Sequence, residues 1–65
     1  MTWEFYEVWA EDDDGHEELI ETTKSRTEAL TLAKKSLDEN DYASTVVYQE
    51  KEDGDLVTIE RFYAD

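Results

Sequence analysis

Residues 42–64 read YASTVVYQEKEDGDLVTIERFYA, and this stretch decides the fold. Two runs rich in β-branched and aromatic residues, 42–51 and 55–64, flank Asp53-Gly54. An Asp-Gly pair between such runs is the strongest short-range hairpin signal. We read two strands joined by a two-residue type I′ turn. The turn sets a register with Glu52 opposite Asp55, Tyr48 opposite Ile59 and Val46 opposite Arg61. One face then holds Val46, Tyr48, Val57, Ile59 and Tyr63. The other holds Thr45, Val47, Leu56, Thr58, Glu60 and Phe62. The first set is the better core.

Working back along the chain, Ser25-Arg26-Thr27-Glu28 matches a capping box, with Ser25 as N-cap and Glu28 reaching back. A helix follows to about Glu39, with Ala29, Leu30, Ala33 and Leu37 on one narrow apolar face. Lys34 and Lys35 near its C-terminal end suit the helix dipole, and Asn40 is its stop. Residues 2–10 read as an aromatic-rich strand, Glu11 to Gly15 as a turn, and 16–23 as a returning strand around Leu19 and Ile20. In the first strand we place Tyr6, Val8 and Ala10 inward. The alternative set, Trp3, Phe5, Glu7 and Trp9, would bury a carboxylate in mid-strand.

The order is ββαββ, one α+β domain over residues 1–65. It implies a four-stranded, mostly antiparallel sheet with one helix packed on one face. In the usual arrangement of this order strands one and four are central and parallel, and the tight turns lie at opposite ends. The uncovered face would carry Trp3, Phe5, Trp9 and Phe62 among carboxylates. Such an aromatic patch marks an interface, unless the faces are reversed and those rings are core.

Composition bounds the function. Nineteen Asp and Glu against six Lys and Arg give 65 residues a net charge of −13. That argues against direct contact with nucleic acid or an anionic membrane, both of which need basic surface. With no cysteine there is no disulfide framework and no Cys-ligated metal. No apolar run is long enough for a membrane span, and the expected location is the cytoplasm. Eight aromatic residues (two Trp, four Tyr, two Phe) in a periodic apolar pattern argue against disorder. An enzyme is not expected, since so short a chain can hardly wall off a pocket, and no cofactor is expected.

The charge is uneven. Residues 25–39 sum to zero, residues 1–24 carry −8 and residues 40–65 carry −5. Acidity acquired for solubility would coat the helix as well. Concentrated charge also destabilises a domain by self-repulsion, so we expect the anionic hairpins to be used. The candidate contacts are Glu11, Asp12, Asp13, Asp14, Glu17 and Glu18 at one tip and Glu50, Glu52, Asp53 and Asp55 at the other, with Trp3, Phe5 and Trp9 as aromatic anchors. Same-face carboxylates recur about every 6–7 Å along a strand. Rows at that interval can present themselves to a Lys/Arg-lined groove as phosphates do. The expected function is therefore a monomeric, non-catalytic DNA mimic whose partner is a basic nucleic-acid-binding protein. The alternative is an interaction module or homodimer that uses the aromatic face.

Other motifs are weak. Aligned on Gly15, a calcium loop would have Asp12, Asp14 and Glu21 in place but Ala10 where an acid is required. Weak divalent binding is expected there, without a dedicated site. His16 reads as a surface residue.

In element order, length and second hairpin the chain resembles the immunoglobulin-binding domains of protein G, although no binding motif carries over. Thr27-Glu28-Ala29-Leu30 with Ala33 looks like the helix start of several small bacterial ββαββ modules. In size, lack of Cys and Pro, and the anionic hairpins Glu11 to Glu18 and Glu50 to Asp55, it resembles small acidic phage-encoded anti-CRISPR inhibitors. That resemblance implies a stoichiometric inhibitor of a CRISPR effector complex, acting where the complex reads its protospacer-adjacent motif.

Overall fold

Asp53-Gly54 closes a hairpin, but through a longer loop than a type I′ turn. The structure, a computed structural model, describes residues 5–40 and 42–64. The Gly54 N–H donates to the Lys51 carbonyl at 2.9 Å, and the Lys51 N–H donates to the Asp55 carbonyl at 2.9 Å. Gly54 has φ +90°, and no described residue other than glycine has positive φ. A type I′ turn requires positive φ at both central residues, which Asp53 does not provide. The loop is therefore Glu52-Asp53-Gly54, a turn ended by a left-handed glycine, and Lys51 rather than Glu52 stands opposite Asp55.

The extra loop residue shifts the register. In β3 (Ser44–Glu50) and β4 (Leu56–Tyr63), Tyr48 pairs with Thr58 rather than Ile59. A bulge between Val47 and Tyr48 then takes up Ile59, so that Val46 faces Arg61 as expected. The bulge also lets Ile59 and Phe62 pack on the same core. The expected faces are reversed for Thr45, Val46, Val47, Tyr48 and Phe62, whereas Ile59 lies inward and Leu56 on the open face as expected. Val47 is fully buried beneath the helix with Phe62 against that core, whereas Val46 and Tyr48 belong to the open face, where Val46 is nonetheless buried, as expected of a core residue. The cause is the neighbouring strand: Val47 pairs with Val8 of β1 (Phe5–Glu11), whose parity is fixed by keeping Glu7 out of the core.

The first hairpin repeats this construction. The Gly15 N–H donates to the Asp12 carbonyl at 3.1 Å, the Asp12 N–H to the His16 carbonyl at 3.0 Å, and Gly15 has φ +87°. In β2 (Glu17–Thr23) a bulge opposite Val8 and Trp9 takes up Ile20, as Ile59 is taken up in β4. Each isoleucine follows its turn glycine by five residues, and Val8 and Val47 each precede theirs by seven. Because Val8 and Val47 face one another directly, an approximate twofold axis passes between them and exchanges the hairpins.

The sheet order is β2-β1-β3-β4, and every pair is antiparallel. The expected central parallel pair of strands one and four does not form; β4 is an edge. Residue chemistry explains this. The inner strands present Tyr6, Val8, Ala10, Thr45 and Val47 to the helix side, all buried. The outer strands carry Glu17, Glu18, Glu21, Glu60 and Arg61, charges suited to an edge that must not pair with another chain.

The helix, α1 (Arg26–Glu39), seats on small residues. Ala29 and Ala33 are fully buried and Ser36 nearly so, with Leu30, Leu32 and Leu37 half-buried beside them. Leucines thus flank the seam rather than forming it, which brings the helix close to the sheet. The Thr45 hydroxyl donates to the Ala33 carbonyl at 3.0 Å and ties the two layers. At the N-terminus, Ser25 Oγ accepts the Glu28 N–H at 3.2 Å. The return half of the box is made by Thr23, whose Oγ1 accepts the Ser25 N–H at 3.2 Å. Asn40 stops the helix in an extended conformation (φ −129°), giving both its N–H and its side-chain amide to the Ser36 carbonyl at 3.1 Å.

Gly15→Ala and Gly54→Ala are each expected to cost about 1 kcal/mol in urea unfolding. Nothing lies within 4 Å of an added Cβ at either position, so the cost is conformational, and asparagine should recover part of it. An alanine variant as stable as the parent would show that positive φ is not required there.

Candidate functional site: two unequal acidic ends

Antiparallel β1 and β3 send their turns to opposite ends of the sheet, along a longest dimension of 38 Å. The first end gathers Glu11, Asp12, Asp13, Asp14, Glu17 and Glu18, as the sequence led us to expect. The second gathers Glu50, Glu52, Asp53 and Asp55. The ends are not equivalent. Lys51 stands within the second group, and Lys24 lies 5.5 Å over the ring of Phe5, which pairs with Glu50. The helix begins at this end and finishes at the other, where Leu37, Asp38 and Asn40 line a cleft together with Asp13.

The helix direction polarises the molecule. Asp38 and Glu39 occupy the last turn, which contains no base. Lys34 and Lys35, expected to serve the dipole, stand one turn short of its end. A helix C-terminus carries about half a negative charge, so both acids lie where they are repelled. Asp38 lines one cleft with Asp13 of the first tip, so this end of the molecule forms an anionic pole. Among the described residues, the one short contact of a carboxylate with a basic side chain is Asp12 Oδ2 to His16 Nδ1, at 3.7 Å.

Asp12 is occupied by its own loop. Its Oδ1 accepts the N–H groups of Asp14 at 2.9 Å and His16 at 3.0 Å. The His16 N–H bond does most to hold the Asp12 carboxyl below its ordinary value of 3.8, helped by the Asp14 N–H and by the charge of His16 against a smaller desolvation. A depressed folded pKa favours the loop above 3.8 and loses that contribution as pH falls through the folded value. The amide resonances of Asp14 and His16 should therefore titrate together below 3.8 and stay flat in Asp12→Asn. Titration above 3.8 would contradict this account. The ligand atoms of Asp12, Asp14 and His16 lie within 4.8 Å of one another. His16 joins this group although a calcium-loop pattern calls for oxygen ligands alone.

Phe5 and Trp9 lie on the open face, half-buried, as expected. Trp3 lies outside the described residues. Phe62 does not join them, because the β4 bulge turns it to the helix side, where Lys34 lies 6.0 Å over its ring. The Trp9 ring N–H donates to Glu7 Oε1 at 2.8 Å, which gives the mid-strand carboxylate a partner outside the core. Leu19, opposite Trp9, and Leu56, opposite Glu50, are each 46% exposed on this face.

The cleft at the anionic pole has a volume of about 570 Å³ and is open to solvent. Asp13, Leu37, Asp38, Asn40, Tyr42, Ala43, Tyr63 and Ala64 line it. The chain converges there because the Ala43 N–H donates to the Glu11 carbonyl at 2.8 Å and the Ala64 N–H to the Ala43 carbonyl at 3.0 Å. Sequence reasoning missed Asp38, Tyr42 and Tyr63 as site residues, since no spacing signal joins positions so far apart.

No family model matches this chain. No curated protein and no solved structure matches it either. Among the described residues, no helix is long and apolar enough to cross a membrane.

Proposed function

We propose that this protein is a non-catalytic anionic inhibitor that occupies the DNA-binding groove of a basic protein or complex. Its carboxylates would stand where the groove takes phosphates. The observation that carries this reading is the anionic pole: Asp38 and Glu39 stand at the wrong end of the helix dipole, and Asp38 lines one cleft with Asp13 of the first tip. A surface shaped for stability alone would put lysines there. The molecule's 38 Å length corresponds to about eleven base pairs of duplex at roughly 3.4 Å each. A CRISPR effector channel, which is positively charged, is one groove of this kind, and its cytoplasmic setting would be shared by the inhibitor.

The test is capture on immobilised protein from bacterial lysate at low salt, followed by elution with duplex DNA. DNA-binding proteins should elute with the competitor and should also leave as salt rises. Retention through both treatments would remove mimicry. It would favour the second reading, an interaction module built on the open face, where Leu19 and Leu56 stand exposed beside Trp9 and Tyr48. That reading predicts salt-insensitive binding that is lost in Trp9→Ala.

A further inference from the structure

We infer that the cleft between the end of α1 and the end of β4 is a receptor for a single guanidinium group, an arginine side chain of the partner. Three kinds of group converge on it. Asp13 and Asp38 supply carboxylates from two separate elements. The helix terminus adds the negative end of its dipole and carbonyls that the helix leaves without internal partners. Tyr42 and Tyr63 line the cleft as aromatic residues, and Tyr63 is 70% exposed. Asn40 spends its amide N–H on Ser36, which leaves its Oδ1 as a further acceptor at the rim.

This combination discriminates among cations. A hydrated divalent ion gains nothing from tyrosine faces. An ammonium offers three donors on a flexible stem. A guanidinium is planar, stacks on an aromatic ring, and offers five donors in a fixed fork to acceptors spread around it. The half-buried Leu37 gives the propyl stem an apolar floor.

That the arginine belongs to a protein partner rests on the proposed function; the cleft's preference for guanidinium does not. The experiment is a titration of the ¹⁵N-labelled protein with N-acetyl-arginine amide, followed by amide shifts. N-acetyl-lysine amide and sodium chloride at matched ionic strength are the comparisons. Arginine should perturb Asp13, Asp38, Asn40, Ala43 and Ala64 selectively. It should bind roughly threefold or more tightly than lysine, with a similar loss in Tyr63→Ala and retention in Tyr63→Phe. Asp38→Asn, at an exposed position, should weaken it without disturbing the fold. Perturbation spread evenly over both tips, or equal for arginine, lysine and salt, would overturn the inference. Selective arginine binding by a protein that captures no DNA-competed partner would uphold the cleft and sink mimicry. A DNA-competed partner with no arginine response would do the reverse.

Discussion

Ala33→Leu should remove a large share of the protein's stability at 25 °C. Ala33 is fully buried where α1 meets the sheet, and its carbonyl accepts the Thr45 hydroxyl. A larger side chain there lifts the helix and stretches that bond, and overpacking of this kind costs about 1–3 kcal/mol. A core this small supplies only about 3–5 kcal/mol in all, and a net charge of −13 opposes it. Thr31→Leu, on the exposed side of the same helix, is the control and should unfold at the parental urea concentration. If Ala33→Leu did the same, the close seating of the helix would be wrong.

The second large effect runs in two directions at once. Reversing Asp13, Asp14 and Asp38 to lysine should weaken binding to a captured partner by about 100-fold, near 1 kcal/mol for each reversed carboxylate. The same variant should be more stable than the parent by about 0.5–1 kcal/mol, because Asp38→Lys puts a base at the helix C-terminus and the pole loses its self-repulsion. Urea unfolding and partner displacement measure the two arms. Higher stability with binding intact would show that the pole is merely solvated.

Much of this molecule could be read from its residues. The ββαββ order, the Ser25 cap, the Asn40 stop and the inward set Tyr6, Val8 and Ala10 all rest on local rules, and the structure contains them. What failed was non-local. Asp53-Gly54 fits a two-residue loop and a three-residue loop equally well on paper; only the pairing of Lys51 with Asp55 separates them. The bulge at Ile59 cancels that one-residue difference, and it is the pairing of Val47 with Val8 across the sheet that puts Val47 and Phe62 on the helix side. The bulges at Ile20 and Ile59 break the alternation that period-two reading depends on. At the site, the acids of both tips were legible as composition. That Asp38 adjoins the first tip was not, because it depends on which way the helix runs across the sheet.

The self-pairing of Val8 with Val47 has a consequence for how the chain can be divided. Each hairpin brings its own three-residue loop, its own bulge and its own half of the central strand pair. The sheet is thus a dimer of hairpins made continuous by the helix. Helix and sheet differ in how far they keep this symmetry. The open face repeats Trp9 as Tyr48 and Glu11 as Glu50, and the tips repeat Asp14 as Asp53. The single helix has no counterpart, and by pointing its negative end one way it gives two copies of one motif different charges. A molecule assembled from duplicate parts has in this way acquired a front and a back.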